Sequence, residues 1–212
     1  MGHYKFFNQN EFSVHQKIIK SVGKHKKVLD VGCSVGTISE SMKRNKCLVT
    51  GIEMDEKSAE KAKSHCADVY VGDVESIELN DNYNNYFDFL IFADVLEHLR
   101  DPEKVLRRFK KYLKDDGYII ISLPNVANWR MRIHLLMGNF EYNDYGLLDK
   151  GHLRFFNFKN AINLIQDAGF EIVHFDLTVG DLDKFASFFY RVGKMWPNLF
   201  AFQFLITAKK KQ

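Results

Sequence analysis

A chain of 212 residues, 46% of them hydrophobic, can cover both faces of one sheet but cannot build two sizeable cores, so one α/β domain spanning 1–212 is expected. The 30 lysines and arginines exceed the 27 acids to leave a formal charge of only +3, and they are scattered except for Lys209, Lys210 and Lys211, which argues against a nucleic-acid partner. Three cysteines, Cys33, Cys47 and Cys66, with neither a Cys-x-x-Cys pair nor histidines at ligand spacing, exclude a disulfide framework and a zinc site and fit a reducing cytoplasm.

The N-terminal run from Met1 to Phe7 lacks a signal-peptide core, and no later stretch approaches the roughly 18 apolar residues of a membrane span. The first predicted strand, Lys27–Val31, runs straight into a turn carrying Gly32 and Gly36 with the carboxylate of Asp30 at its lip. Such a turn offers backbone N–H groups to a ligand. A dinucleotide pyrophosphate would suit those groups but be repelled by Asp30, whereas a ligand bearing an ammonium and a sulfonium, such as S-adenosylmethionine, is attracted.

Further strands are predicted at Leu48–Glu53, 69–71, 87–92 and 118–123, and their polar ends Glu53, Asp73 and Asp94 fall where open α/β sheets bind ligands. Helix starts are marked by Asp55, by Asp94 with Glu97 three residues on, by Asp101 before Pro102, and by Asn157. Between Pro124 and Asn157 lies an aromatic and basic insertion of the length that forms lids. After a helix at Phe158–Asp167, strands at 170–176 and 200–208 with a helix within 182–196 suggest a final antiparallel pair.

Several segments together resemble the class I S-adenosylmethionine-dependent methyltransferases: Asp30 to Gly36, Ile52-Glu53-Met54-Asp55, Gly72-Asp73-Val74, Phe92 to Leu99, Leu113 to Pro124, and Ala168-Gly169-Phe170-Glu171. Within that class, Pro124-Asn125-Val126-Ala127-Asn128-Trp129 and Gly151-His152-Leu153-Arg154-Phe155-Phe156 are similar to a bacterial group related to ubiquinone, methionine-biosynthesis W-type and sugar methyltransferases. The resemblance implies a doubly wound, Rossmann-like sheet of seven strands, mostly parallel with an antiparallel C-terminal strand, plus a substrate lid at 125–157 after strand five. One departure is Ser34, which stands where the pattern has its middle glycine; its Cβ narrows the space for backbone approach.

The resemblance also implies residue roles. Asp30, Gly32, Cys33, Ser34, Gly36, Glu53, Met54, Asp73, Val74 and Ala93 would bind S-adenosylmethionine, with Glu53 accepting from the ribose hydroxyls, Asp73 receiving the adenine amino group and Met54 packing on the ring. Glu53 and Asp73 have bland readings too, as an exposed charge and a turn residue. If the acceptor is a hydroxyl, His98 or His152 is the natural base, although Asp94 to Glu97 also reads as a capping box that leaves His98 on a first helical turn and Glu97 as a cap. Trp129, Arg154 and Phe155 are candidate substrate contacts, with Arg154 equally suited to tying the lid to Asp144 or Asp149. No metal ligand set is expected, and turnover is expected to need no divalent ion.

The leading expectation is therefore a methyltransferase acting on a small-molecule acceptor, at oxygen. A cofactor-binding or regulatory protein without turnover is the alternative. A nicotinamide dehydrogenase is the third reading, prompted by Tyr190 and Lys194 at Tyr-x-x-x-Lys spacing, but the glycine turn lacks the dinucleotide pattern. Phe185, Phe188, Phe189 and Trp196 at helical spacing fit a core face or a homodimer patch.

Overall fold

The computed structural model describes residues 13–180 and 186–211. Seven strands appear in chain order: β1 (Lys27–Val31), β2 (Leu48–Glu53), β3 (Asp68–Val71), β4 (Phe87–Ala93), β5 (Leu113–Pro124), β6 (Phe170–Thr178) and β7 (Gln203–Lys210). They form one sheet in the order β3-β2-β1-β4-β5-β7-β6. β1 pairs in parallel with both β2 and β4, while β7 runs antiparallel to its neighbours β5 and β6, so β7 alone opposes the other strands.

Alternation along the strands sorts the core into two layers. Leu29, Val31, Leu90, Phe92, Ile119, Ile121, Phe204 and Ile206 face one side, and Val28, Phe89, Ile91, Ile120 and Leu205 the other. The first side is covered by α4 (Pro102–Phe109) and α6 (Phe158–Asp167), which bury Val105, Leu106, Phe109, Ala161 and Ile165. The second is covered by α1 (Val14–Val22), α2 (Thr37–Arg44) and α3 (Glu56–Ala62) through Ile18, Val22, Ile38, Met42 and Ala62. Each such apolar side chain contributes about 1.5–3 kcal/mol of transfer free energy when fully buried, so both layers stabilise the sheet between them. The helices switch face between β1 and β4, and the crevice at that switch is where an open α/β sheet holds its ligand.

Local signals set most boundaries. Asp55, Asp101 and Asn157 accept from Ser58, Lys104 and Asn160 N–H as helix caps. The Asp94–Glu97 capping box does not form: residues 96–98 make a single 3-10 turn without a side-chain cap, and Asp94, at φ 53°, instead receives the Ser122 hydroxyl and the Gln203 amide. β5 starts at Leu113 rather than 118, and β7 spans Gln203–Lys210 rather than 200–208, because Phe200 closes a short helix, α8 (Pro197–Phe200), that Pro197 opens. Helix α1, capped by Ser13, was not anticipated, although its Val14, Ile18, Ile19 and Val22 lie on one face.

The insertion after β5 is anchored by two buried asparagines. Asn125 Nδ2 donates to Ala201 O at 2.8 Å and Asn128 Nδ2 to the same carbonyl at 2.8 Å, while Asn125 bridges Phe156 at the far end of the segment. Asn128 also caps helix α5 (Trp129–Leu136) by accepting from Arg130 N–H. Beyond Met131 the chain from 132 to 146 is exposed throughout. Helix α7 (Ala186–Met195) lies within the predicted 182–196 helix; Phe185, like the Met1 to Phe7 run, is outside the described residues. Phe189 packs toward Phe200, whereas Phe188 and Trp196 are exposed. Among the described residues no helix is long and apolar enough to cross a membrane.

Candidate functional site

A cleft of about 860 Å³ opens at the carboxyl edge of the sheet, between the ends of β1 to β4 and the insertion. One end is lined by Gly32, Ser34, Glu53, Met54, Asp73, Val74 and Ala93, and the other by Asp94, Glu97, His98 and residues 144–147 and 149–153.

The turn after β1 is built for close approach. Gly32 has φ +71°, and a Cβ there would meet Val95 Cγ2 at 2.6 Å, so only glycine fits. Ser34, at φ 49°, donates its N–H to Glu53 Oε2 at 2.8 Å, and its own buried Oγ has no partner among the described residues. Glu53 Oε1 accepts from Met54 and Asp55 N–H, both at 2.9 Å. Three of about four carboxylate acceptor sites are thus used to orient the side chain, which leaves the remaining one, on Oε2, for a ligand hydroxyl. Asp73 closes its own turn by accepting Glu75 N–H at 2.8 Å and is exposed to the cleft, and the Met54 thioether is 70% exposed beside it. The orphaned Ser34 hydroxyl, the poised Glu53 and the exposed Asp73 along the cleft fit an adenosine with a cationic tail.

Asp30 and Cys33 lie beneath this turn rather than in the main cleft. They line a small side cavity with His15 and Thr37. Asp30 is 2% exposed and accepts the Ser39 hydroxyl at 2.7 Å; burial pushes its carboxyl up to about 6, partly offset by that hydrogen bond and reinforced by the charge of Glu53. Burial likewise lowers His15, against the pull of Asp94. The three cysteines are free and buried.

At the far end, His98 and His152 meet edge to face with ring centroids 4.8 Å apart. His98 Nδ1 lies 2.9 Å from Gly151 O and His152 Nδ1 3.3 Å from Leu147 O. A carbonyl only accepts, so both Nδ1 atoms carry hydrogen and each neutral ring keeps its lone pair on Nε2. Burial, then the neighbouring His98, lowers His152. Glu97 is not a cap but a buried acid: burial, then the charge of Asp94, pushes its carboxyl well above the usual range, and its Oε2 has no partner among the described residues. Its backbone carbonyl accepts Leu153 and Arg154 N–H, stapling the 3-10 turn to the insertion.

The structure brings His98 and His152, offered separately by the sequence reading as candidate bases, into one cleft, but places Trp129, Arg154 and Phe155 outside its lining. The Arg154 guanidinium donates to Arg100 O, so it ties down the insertion and is paired with neither Asp144 nor Asp149. Phe155 packs near His152 and Phe140. Glu97 and Gln203 were missed as cleft residues; the capping-box spacing masked the first, and the second comes from a strand whose position no local pattern reveals. Tyr190 and Lys194 both contact Asp176, which removes them from any nicotinamide chemistry.

A family model described as a methyltransferase domain matches residues 9–175. Curated relatives include ubiquinone biosynthesis O-methyltransferases of Neisseria meningitidis serogroup A, 36% identical over 53% of this chain and 49% of the relative, and of Coxiella burnetii, 30% identical over 68% and 61%. The chain thus spans about half to three-fifths of the length of these relatives. Among solved structures, an S-adenosylmethionine-dependent methyltransferase of Thermotoga maritima superposes with a TM-score of 0.67 at 20% identity, covering 94% of this chain and 89% of the other. One from Archaeoglobus fulgidus gives 0.66 at 18%, covering 92% and 90%.

Proposed function

This chain belongs to the class I S-adenosylmethionine-dependent methyltransferases, and from that premise we propose that it methylates a hydroxyl oxygen of a small molecule held in the cleft beneath the 125–157 insertion. The observation that carries the reading is that a donor turn and a pair of imidazoles share one cleft: Gly32, Ser34, Glu53 and Asp73 at one end, His98 and His152 at the other.

S-adenosylmethionine supplies a methyl carbon already activated by a sulfonium leaving group. The chain's own work is then to bind, align and manage one proton. Glu53 takes a ribose hydroxyl, Asp73 and Val74 flank the adenine, Met54 covers the ring, and Gly32, Cys33, Ser34, Gly36 and Ala93 shape the turn around the amino-acid end. Asp30 beneath the turn balances the positive charge. His98 and His152 present Nε2 lone pairs able to accept a hydroxyl hydrogen, which is the service an oxygen acceptor needs and an uncharged amine does not. The names of the curated relatives support oxygen as the site of transfer.

Incubating the protein with donor labelled in its methyl group and a fractionated small-molecule extract tests this. Label should pass to a product as a methyl ether. Transfer to nitrogen or carbon, or donor binding without transfer to any fraction, would contradict it.

A further inference from the structure

Two of the three cysteines meet where the donor turn rests on the sheet. Gly51, within β2, pairs with Asp30 of β1 and Val69 of β3. A Cβ at position 51 would lie 2.7 Å from Cys33 Sγ and 3.3 Å from Cys66 Sγ, so both sulfurs sit against the one notch that a glycine leaves open. Both residues are buried, Cys66 at 9% exposure and Cys33 at 5%. Cys47 stands apart from them, with its Sγ toward the carbonyls of Gly23 and Asn45 at 3.7 and 4.0 Å.

The two thiols are not equivalent. Cys33 donates to Cys66, which holds the Cys66 thiol below its usual range against the effect of burial, helped by Ser39 and by the charge of Lys43. The same contact, then burial, pushes the Cys33 thiol up. A thiolate is the nucleophile in thiol oxidation, so Cys66 is the group that reacts first and Cys33 the group placed to resolve it.

Cys33 is also the middle of the donor turn. Its N–H and that of Gly32 both donate to Ile52 O, at 3.0 and 2.8 Å, and its carbonyl accepts Gly36 N–H at 2.9 Å where α2 begins. Gly32 and Ser34, on either side of it, line the cleft. A displacement of Cys33 is therefore passed to the groups that receive the donor.

We propose that Cys33 and Cys66 form a reversible disulfide on exposure to a hydroperoxide, and that the bridge weakens binding of S-adenosylmethionine. With hydrogen peroxide, the Cys66 thiolate attacks one oxygen: an S–O bond forms, the O–O bond breaks, and the departing hydroxide takes up the proton that Cys66 had lost. Cys33 then attacks the sulfenic sulfur, an S–S bond forms as the S–O bond breaks, and the Cys33 proton leaves with the hydroxide as a second water. Two thiols lose two electrons and the peroxide is reduced to two waters; a dithiol reverses the step. Bonded sulfurs lie closer than sulfurs in contact, so the bridge draws the turn toward β2 and shifts Ser34 from the position in which its N–H meets Glu53. In a reducing compartment such a bridge is transient, as redox-sensing disulfides are. Spacing along the chain gives no sign of this pair, because it is β2 that brings the two residues together.

The effect on affinity rests on the donor turn assigned above, but the bridge itself is read without any donor present. The reduced wild-type chain is treated with hydrogen peroxide, digested without reductant and mapped by mass spectrometry. A peptide pair joining Cys33 to Cys66 should appear, vanish after dithiothreitol and be missing from Cys66→Ser, while Cys47→Ser forms it as wild type does. Calorimetry with S-adenosylhomocysteine should show binding at least tenfold weaker after oxidation of wild type, restored by dithiothreitol, and unchanged by oxidation of Cys66→Ser. No such pair in oxidised wild type, a pair that leaves affinity unchanged, or an equal loss of affinity on oxidation of Cys66→Ser would overturn the proposal.

Discussion

Asp30 places an ionisable group under a turn that must receive a positively charged ligand, and burial holds its carboxyl up to about 6. In the empty fold its stabilising contribution is therefore full below its ordinary value of 3.8 and is lost as the pH rises through about 6. Asp30→Asn should stabilise the ligand-free protein at pH 7 by about 2–3 kcal/mol and flatten this pH dependence, while weakening S-adenosylmethionine. Urea midpoints at several pH values check the first effect and calorimetry the second; an unchanged pH dependence would show that Asp30 does not titrate here. At Glu53, truncation to alanine should weaken S-adenosylhomocysteine by about 1–3 kcal/mol, the scale of a hydrogen bond to a charged group. Unchanged affinity in a folded variant would remove Glu53 from the site. Glycine spacing and strand-end carboxylates made this half of the cleft legible in the sequence. Glu97 was not, because its spacing from Asp94 also satisfies a capping box, and only the Ser122 and Gln203 contacts of Asp94 show that the box is not used.

The elements were legible where burial repeats. β1, β2 and β4 are apolar runs sealed on both faces, and α6 ends at Ala168-Gly169 as its turn residues dictate. Boundaries failed at strand ends, as where the strand read from Phe200 begins only at Gln203, after helix α8 has ended at Phe200. The Tyr190–Lys194 spacing proved to be a brace. Burial alone would raise Asp176, but hydrogen bonds from Lys17, Tyr190, Leu177 and Lys194 bring it down to about 2 and lock α1 and α7 to β6. That contribution is present above its ordinary 3.8 and is lost as the pH falls through about 2. Asp176→Asn should cost about 1–3 kcal/mol at pH 7, read as a lower urea midpoint with unchanged slope. The insertion is expected to behave as two parts. Its base is held by Asn125, Asn128 and the Glu97 carbonyl, whereas residues 132–146 are exposed and are expected to gain contacts when ligands fill the cleft. Amide hydrogen exchange should be fast at 132–146 without ligand and slower with S-adenosylhomocysteine and acceptor, while 125–128 and 153–156 stay protected. Strong, uniform protection in the empty protein would contradict a moving cover.

At the scale of the whole molecule, the strand order is what makes a site from residues far apart in the chain. Placing β1 beside β4 sets the donor turn next to the 3-10 turn at 96–98, and inserting β7 between β5 and β6 brings Gln203 to Asp94. The sheet class could be read from alternating strand and helix patterns, but His152 reaches His98 only through the path of the insertion, for which no periodicity exists. The account's central claim is that one cleft holds the methyl donor at the Gly32–Glu53 end with its reactive centre facing His98 and His152. A crystal structure with S-adenosylhomocysteine tests it most directly. The adenosine should lie on Glu53, Met54 and Asp73, the amino-acid end over Gly32 and Asp30, and the sulfur toward the imidazole end. Density for the ligand elsewhere, or a sulfur turned away from His98 and His152, would contradict the account.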